Sequence, residues 1–314
     1  MDRLVSLVIP FFNEAGNIAA LPAALWPVLE SIPGIAWEAV CVDDGSSDST
    51  LAELVALTSA DRRFRVLELS RNFGKEAALT AGLDAARGDA VIPMDADLQD
   101  PPEVIVRMIE AWRGGAEVVL ARRRDRSADG LFKRKTAAWF YRLHNRLSDT
   151  KIPENVGDFR LLDRAVVEAL KRLPERQRFM KGLFAWLGFR TRVIDYVRAP
   201  RGAGQSKFSG IRLWQLALEG FTSFSTVPLK IWTYIGAAGA LGTFAYAVFI
   251  VLYTLLHGRG VPGYASLLVA VLFFGSLQLL SIGLLGEYIG RIYIETKRRP
   301  IYLIRKIHGG SDGA

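Results

Sequence analysis

The sequence predicts an α/β domain built on a mostly parallel sheet, followed by a helix lying on a membrane surface and then a two-helix transmembrane hairpin. Three observations carry that prediction. Short β-rich runs alternate with helical patterns through residues 4–121, two long uncharged runs stand near the C-terminus, and the charges are sorted along the chain by sign. Strand–helix alternation argues for parallel strands whose crossover helices cover both faces of a sheet.

The β-rich runs are 4–10, 38–42, 65–69, 90–94 and 117–121, and the helical patterns between them are 17–29, 49–58, 75–86 and 102–112. In sheets of this kind ligands gather beyond the carboxyl ends of the strands. Polar residues fall at those ends: Asn13-Glu14 after the first run, Asp43-Asp44-Gly45-Ser46 after the second, Ser70-Arg71-Asn72 after the third and Asp95-Ala96-Asp97 after the fourth. Asp95 and Asp97 are two residues apart where the chain leaves the pleat, so both carboxylates can turn toward one hard divalent cation, which prefers oxygen ligands. Asp48 reads as a cap on the helix that follows it, and Glu14 reads either as a ligand contact or as an acid favoured at a helix N-terminus.

Composition narrows the function classes. The 314 residues are half hydrophobic, with 40 Lys and Arg against 32 Asp and Glu, which excludes a disordered, collagenous or disulfide-stapled chain. The single cysteine, Cys41, lies in an apolar run and reads as a buried structural thiol in a reducing, cytosolic setting. His144, His257 and His308 are too scattered for a zinc site. The net charge of +8 hides a segregation: residues 1–103 hold 7 basic and 17 acidic side chains, whereas residues 104–230 hold 26 and 12.

Residues 231–256 and 261–286 are each 26 uncharged positions, and Arg259 is the one charge between them. As helices each would extend about 39 Å, enough to cross a hydrocarbon core of about 30 Å with tilt. The four-residue separation makes them an antiparallel hairpin. Lys230 precedes the first run, and Arg291, Lys297, Arg298, Arg299, Arg305 and Lys306 follow the second, which places both flanks on the cytoplasmic side. Residues 4–12 are too short for the apolar core of a cleavable signal. Just before the first span, Ile211, Leu213, Trp214, Leu216, Leu218, Phe221 and Phe224 read as an interfacial helix or as a helix packed on the preceding domain. The expected divisions are a cytoplasmic domain over 1–209, an interfacial helix over 210–228, the hairpin over 229–290 and a basic cytoplasmic tail over 291–314.

Four segments carry a family resemblance in order and spacing: Val8-Ile9-Pro10-Phe11-Phe12-Asn13-Glu14, the run from Val42 to Thr50, Asn72-Phe73-Gly74-Lys75, and Asp95-Ala96-Asp97-Leu98-Gln99-Asp100-Pro101-Pro102. They resemble the family 2 glycosyltransferases of GT-A fold, and within them the polyprenyl-phosphate glycosyltransferases such as dolichol-phosphate mannose synthases and bactoprenol glucosyltransferases. The resemblance covers nearly the whole chain, hairpin included. It implies that Pro10, Phe12 and Glu14 line a nucleotide pocket, that Asp43 or Asp44 accepts hydrogen bonds from the base or ribose, and that Lys75 and Ala96 lie near the nucleotide. It also implies that Asp95 and Asp97, with Gln99 as a further ligand, hold Mg²⁺ or Mn²⁺ under the donor diphosphate. Gly157-Asp158-Phe159-Arg160 matches the segment that supplies an acid near the reacting centre, so Asp158 and Asp97 are the candidate catalytic residues. Arg201 and Lys207, in a glycine-containing loop, are implied to close over the donor. Arg122 and Arg134 are implied to meet the acceptor phosphate.

Seven of the fourteen residues 122–135 are Lys or Arg. In a chain anchored on an anionic leaflet such a cluster attracts lipid head groups, at about 1 kcal/mol per basic residue. No nucleic-acid-binding module accompanies it, which disfavours nucleic acid as the partner. The expected activity is inverting transfer of a hexose from a nucleotide-sugar, UDP-glucose first among the donors, to undecaprenyl or another polyprenyl phosphate. The rivals are the same chemistry with GDP-mannose, another UDP-sugar or another lipid acceptor, and a non-catalytic nucleotide-sugar-binding scaffold. The hairpin and tail also leave room for a homo-oligomer.

Overall fold

The computed structural model describes residues 2–124, 156–197 apart from 174, 177 and 179, 227–257 and 263–309. Its centre is an eight-stranded sheet. Strand β1 (Arg3–Phe11) is followed by α1 (Ala15–Ile18) and α2 (Ala20–Glu30), then β2 (Ile35–Asp43), α3 (Thr50–Ala60), β3 (Phe64–Leu69), α4 (Lys75–Ala85), β4 (Ala90–Pro93), α5 (Val104–Arg113) and β5 (Val118–Arg123). After 155 come β6 (Val156–Asp163), α6 (Arg164–Lys171), α7 (Met180–Trp186) and β7 (Thr191–Tyr196). The two long helices α8 (Val227–His257) and α9 (Tyr264–Lys297) follow, and the described chain closes with β8 (Ile304–His308).

The strand order is β7-β5-β6-β4-β1-β2-β3-β8. β1 pairs in parallel with β2 and β4, β2 with β3, and β5 with β7. β6 and β8 run antiparallel to their neighbours. The expected five strands and four helical stretches are all present, the helical stretch 17–29 being divided into α1 and α2. The apolar runs of β1 to β4 follow from burial on both faces. One face packs Leu25, Leu54, Ile105 and Trp112 against the sheet, and the other packs Leu79, Leu83, Val166 and Phe184. α4 lies so close to β1 that a Cβ at Gly82 would overlap Val8.

α8 and α9 are 31 and 34 residues long. Each contains a span with a mean hydropathy of 2.0 and none of its window buried in the protein: Tyr234–His257 and Val269–Lys297. α9 runs eleven residues past the expected end of its span at 286. It stops where Arg298 takes a left-handed φ of 48° and donates its N–H to the Glu295 carbonyl, a common helix C-terminal geometry. At 34 residues it is about 51 Å long, which is more than the thickness of a hydrocarbon core, about 30 Å.

The segment read as a basic tail is therefore partly helix and partly strand. β8 adds to the edge of β3 in antiparallel register, His308 opposite Val66 and Lys306 opposite Glu68. The Ser70 N–H donates to the Leu303 carbonyl, the Tyr302 hydroxyl to Asp84, and Arg305 and His308 both reach the buried Glu68 at 3.2 and 3.1 Å. Arg176, after α6, holds the end of α9 through Glu295 and the Arg299 carbonyl. The chain leaving α9 thus returns to the sheet. The proposed interfacial helix, 210–228, lies outside the described residues up to 226, and Val227 already belongs to α8.

Candidate active site

The carboxyl ends of β1, β2 and β4 and the loop after β3 meet at one cleft of about 290 Å³. Its lining comprises Pro10, Phe11, Phe12, Glu14, Asp44, Asn72, Gly74, Lys75, Ala78, Asp95, Ala96 and Asp97. Phe12 is 46% exposed, an aromatic face open at the rim. Four of the lining side chains are carboxylates and one is an ammonium.

Short polar ties shape the rim. The Asn13 N–H donates to Ser46 Oγ at 3.0 Å, the Asn13 side chain accepts from the Ser47 N–H at 2.8 Å, and the Glu14 N–H donates to Thr50 Oγ1 at 2.9 Å. Asp48, one residue ahead of Ser49, the N-cap of α3, accepts from the Thr50 N–H at 3.0 Å. Gly45 has φ 69° and lies against the Arg71–Asn72 backbone, an approach open only to glycine. Next to it, Asp44 accepts from the Phe73 N–H at 2.7 Å and the Gly74 N–H at 2.9 Å. Burial pushes the Asp44 carboxyl above its usual range, against the downward pull of those two donors. Asp44 therefore holds the loop that leads into α4.

α4 begins with Lys75, whose Nζ lies 2.6 Å from Asp95 Oδ1 and 2.9 Å from Asp158 Oδ2. This ammonium joins the ends of β4 and β6, and Asp158 lies 83 residues after Lys75 in the sequence. Desolvation works against its charge, and the Asp158 and Asp95 carboxylates override it, so Lys75 stays protonated well beyond the ordinary lysine range. Two residues along β6, the buried Arg160 donates to the Gly157 carbonyl at 2.6 Å and lies 4.2 Å over the Phe184 ring. Asp97 accepts from the Gln99 N–H at 3.2 Å, an Asx-type turn that folds the loop after β4.

Of the residues singled out in the sequence, Pro10, Phe12, Glu14, Asp44, Lys75, Asp95, Ala96 and Asp97 line the cleft. Asp158 joins them through Lys75. Asp43 is buried behind the lining and accepts from the Ser46 N–H, and Gln99 is buried likewise. Arg122 points outward, with two hydrogen bonds to Asp195 at 2.7 and 3.1 Å. Arg134, Arg201 and Lys207 lie outside the described residues. Arg123, adjacent to Arg122, turns inward toward Asp100 and Tyr196, and none of the three is among the site residues expected from the sequence. Strand alternation through β5 was the signal available for Arg123. Among the described residues there is no group of three or more His, Cys, Asp or Glu suited to hold a metal, so Asp95 and Asp97 stand as a pair. Two carboxylates with space beside them suit Mg²⁺ or Mn²⁺, which bind through one or two carboxylates and complete their shells with substrate phosphates and water.

Residues 6–171 match the model of glycosyl transferase family 2, and residues 227–292 match that of the GtrB C-terminal hairpin. An SfII prophage-derived bactoprenol glucosyl transferase of Shigella flexneri is 56% identical over 307 residues, covering 98% of this chain and 99% of the relative. A prophage bactoprenol glucosyl transferase homolog of Escherichia coli K12 is 54% identical, with 96% and 99% covered. An uncharacterized glycosyltransferase of Synechocystis is 51% identical, with 97% and 96% covered. With the family model matched over residues 6–171 and relatives more than 50% identical along nearly the whole chain, the chain belongs to glycosyl transferase family 2.

Proposed function

We propose that this chain transfers a hexose, with inversion, from a nucleotide-sugar to a polyprenyl phosphate at the cytoplasmic face of a membrane, with UDP-glucose as donor and undecaprenyl phosphate as acceptor. The observation that carries the reading is the cleft in which Lys75 joins Asp95 to Asp158, in a chain that aligns end to end with bactoprenol glucosyl transferases.

A nucleoside diphosphate entering a cleft lined by Glu14, Asp44, Asp95 and Asp97 meets like charge. Asp95 and Asp97 would hold Mg²⁺ or Mn²⁺, which when bound would supply the positive charge that reconciles the two and steadies the departing diphosphate. Phe12 and Pro10 offer apolar surface to the nucleoside, and Lys75 offers a fixed ammonium beside the phosphates. An oxygen of the lipid phosphate attacks the anomeric carbon as the bond from that carbon to the diphosphate oxygen breaks, and the nucleoside diphosphate leaves with the electron pair. The attacking phosphate has a second pKa of about 6 and needs no general base. Asp158, bound to Lys75, orients the ammonium and the acceptor instead. Arg201 and Lys207 close over the donor, and Arg122 and Arg134 meet the acceptor phosphate, Arg122 by exchanging Asp195 for it. The basic flanks of α8 and α9 set the membrane orientation and draw anionic lipids.

A panel of UDP- and GDP-sugars offered with undecaprenyl phosphate and Mn²⁺, read by mass spectrometry of the lipid fraction, tests this reading. A hexosyl-phosphoryl lipid formed from UDP-glucose is expected. Release of free sugar with every donor and no glycolipid would overturn it.

A further inference from the structure

The loop carrying the two candidate metal ligands is anchored from below by a buried polar cluster. After Asp97 the chain passes through Leu98, a non-glycine residue at φ 50° that packs against the core, and reaches Asp100, 4% exposed. A left-handed non-glycine residue persists only where its surroundings over-determine it. Asp100 Oδ1 accepts from the Tyr196 hydroxyl at 2.5 Å and lies 3.8 Å from an Arg123 guanidinium nitrogen. Arg123 Nε in turn donates to the Tyr196 oxygen at 3.2 Å. Tyr196 stands edge-on to the buried Phe159 ring, with centroids 6.1 Å apart. Arg123 and Tyr196 face each other across the β5–β7 ladder, so the anchor is fixed in the sheet and not in a loop. Burial and the Asp100 carboxylate push the Tyr196 hydroxyl up to about 12, so it remains a donor.

We propose that the Arg123–Tyr196–Asp100 cluster is the positioning device for the Asp95/Asp97 carboxylate pair, and sets the chain's affinity for its divalent cation without touching cation or donor. Asp97 and Asp100 are three residues apart in a turn closed by the Asp97–Gln99 hydrogen bond, and Pro101-Pro102 stiffens the far side. Tilting Asp100 therefore tilts Asp97. The proposal rests on the metal reading given above. Partners that orient metal ligands cost about 10–100-fold in metal affinity when removed.

The test is Tyr196→Phe in the full chain, with Mn²⁺ binding in the presence of UDP followed by electron paramagnetic resonance and transfer measured across a Mn²⁺ titration. The expected result is a Mn²⁺ dissociation constant raised about tenfold or more, UDP binding without metal unchanged, and turnover restored at saturating Mn²⁺. A purely structural role would lower turnover at every Mn²⁺ concentration. Mn²⁺ affinity within twofold of the unaltered chain, or turnover that saturating Mn²⁺ does not restore, would overturn the proposal. Should Tyr196→Phe fail to fold, Asp100→Asn, which keeps an acceptor for the hydroxyl and removes the charge facing Arg123, carries the same comparison. Failure of the unaltered chain to bind Mn²⁺ with UDP would instead overturn the metal reading, and this proposal with it.

Discussion

Replacing Gly45 with alanine separates the contribution of a close backbone approach from that of the carboxylates around it. Gly45 has φ 69°, and a Cβ there would stand 2.6 Å from both Arg71 C and Asn72 N and 3.0 Å from Arg71 Cα. These are backbone atoms, which cannot swing aside as a side chain does. The left-handed conformation costs a non-glycine residue about 1–2 kcal/mol, and forcing an extra methyl into a packed site about 1–3 kcal/mol more. Gly45→Ala should therefore lose about 2–5 kcal/mol of stability. Ordinary contact begins near 3.4 Å, so the Arg71–Asn72 backbone must move by several tenths of an ångström, carrying Asn72, Gly74 and Lys75 with it. A misplacement of about 1 Å at reacting groups costs about 10²-fold in turnover. Urea unfolding in detergent micelles reads the first effect and the transfer rate reads the second. Gly16→Ala, whose Cβ meets nothing within 4 Å, is the control and should be neutral or stabilising by about 0.4–1 kcal/mol. An unfolding midpoint and a transfer rate for Gly45→Ala equal to those of the parent chain would refute the reasoning.

Lys75→Met leaves Asp95 and Asp158 without their shared cation, and transfer should fall by about 10²–10³-fold while the fold persists; a loss under fivefold would remove Lys75 from the mechanism. Burial raises the Cys41 thiol to about 12, so at pH 8 it is protonated and should resist iodoacetamide in the native chain, reacting only after denaturation. Labelling of folded protein at the denatured rate would contradict its burial. Glu68→Ala removes the buried carboxylate that holds Arg305 and His308, at about 1.5 kcal/mol for a charged hydrogen bond, so tryptic cleavage at Arg305 or Lys306 should speed up about tenfold. An unchanged rate would mean that the β3–β8 ladder alone retains the segment.

The alternation of strands and helices and the polar tips at strand ends were legible in the sequence because both are local. Asn13-Glu14 and Asp95-Ala96-Asp97 begin two residues beyond β1 and β4, and Asp43 closes β2, so finding the strands located the cleft. β8 was not legible. Its five residues, Ile304–His308, sit in a basic segment without strand alternation, and their partner β3 is some 240 residues earlier. The two sides of β5 were not legible for a related reason. Arg122 and Arg123 are neighbours in one charge cluster, but the pleat sends one outward to Asp195 and the other inward to Tyr196 and Asp100. Lys75 was found through its motif, whereas its bond to Asp158 depends on β6 pairing beside β4, a tertiary fact that spacing does not encode.

The most direct measurement is transfer of labelled glucose from UDP-glucose to undecaprenyl phosphate by the full chain in membranes or micelles with Mn²⁺, set beside Asp97→Ala. Among the described residues Asp97 accepts one hydrogen bond, from the Gln99 N–H, so its removal should cost about 1 kcal/mol of stability or less. The account predicts labelled glycolipid from the parent chain and none above background from a folded Asp97→Ala. Glycolipid formed by Asp97→Ala at the parent rate, or none formed by the parent chain, would contradict it.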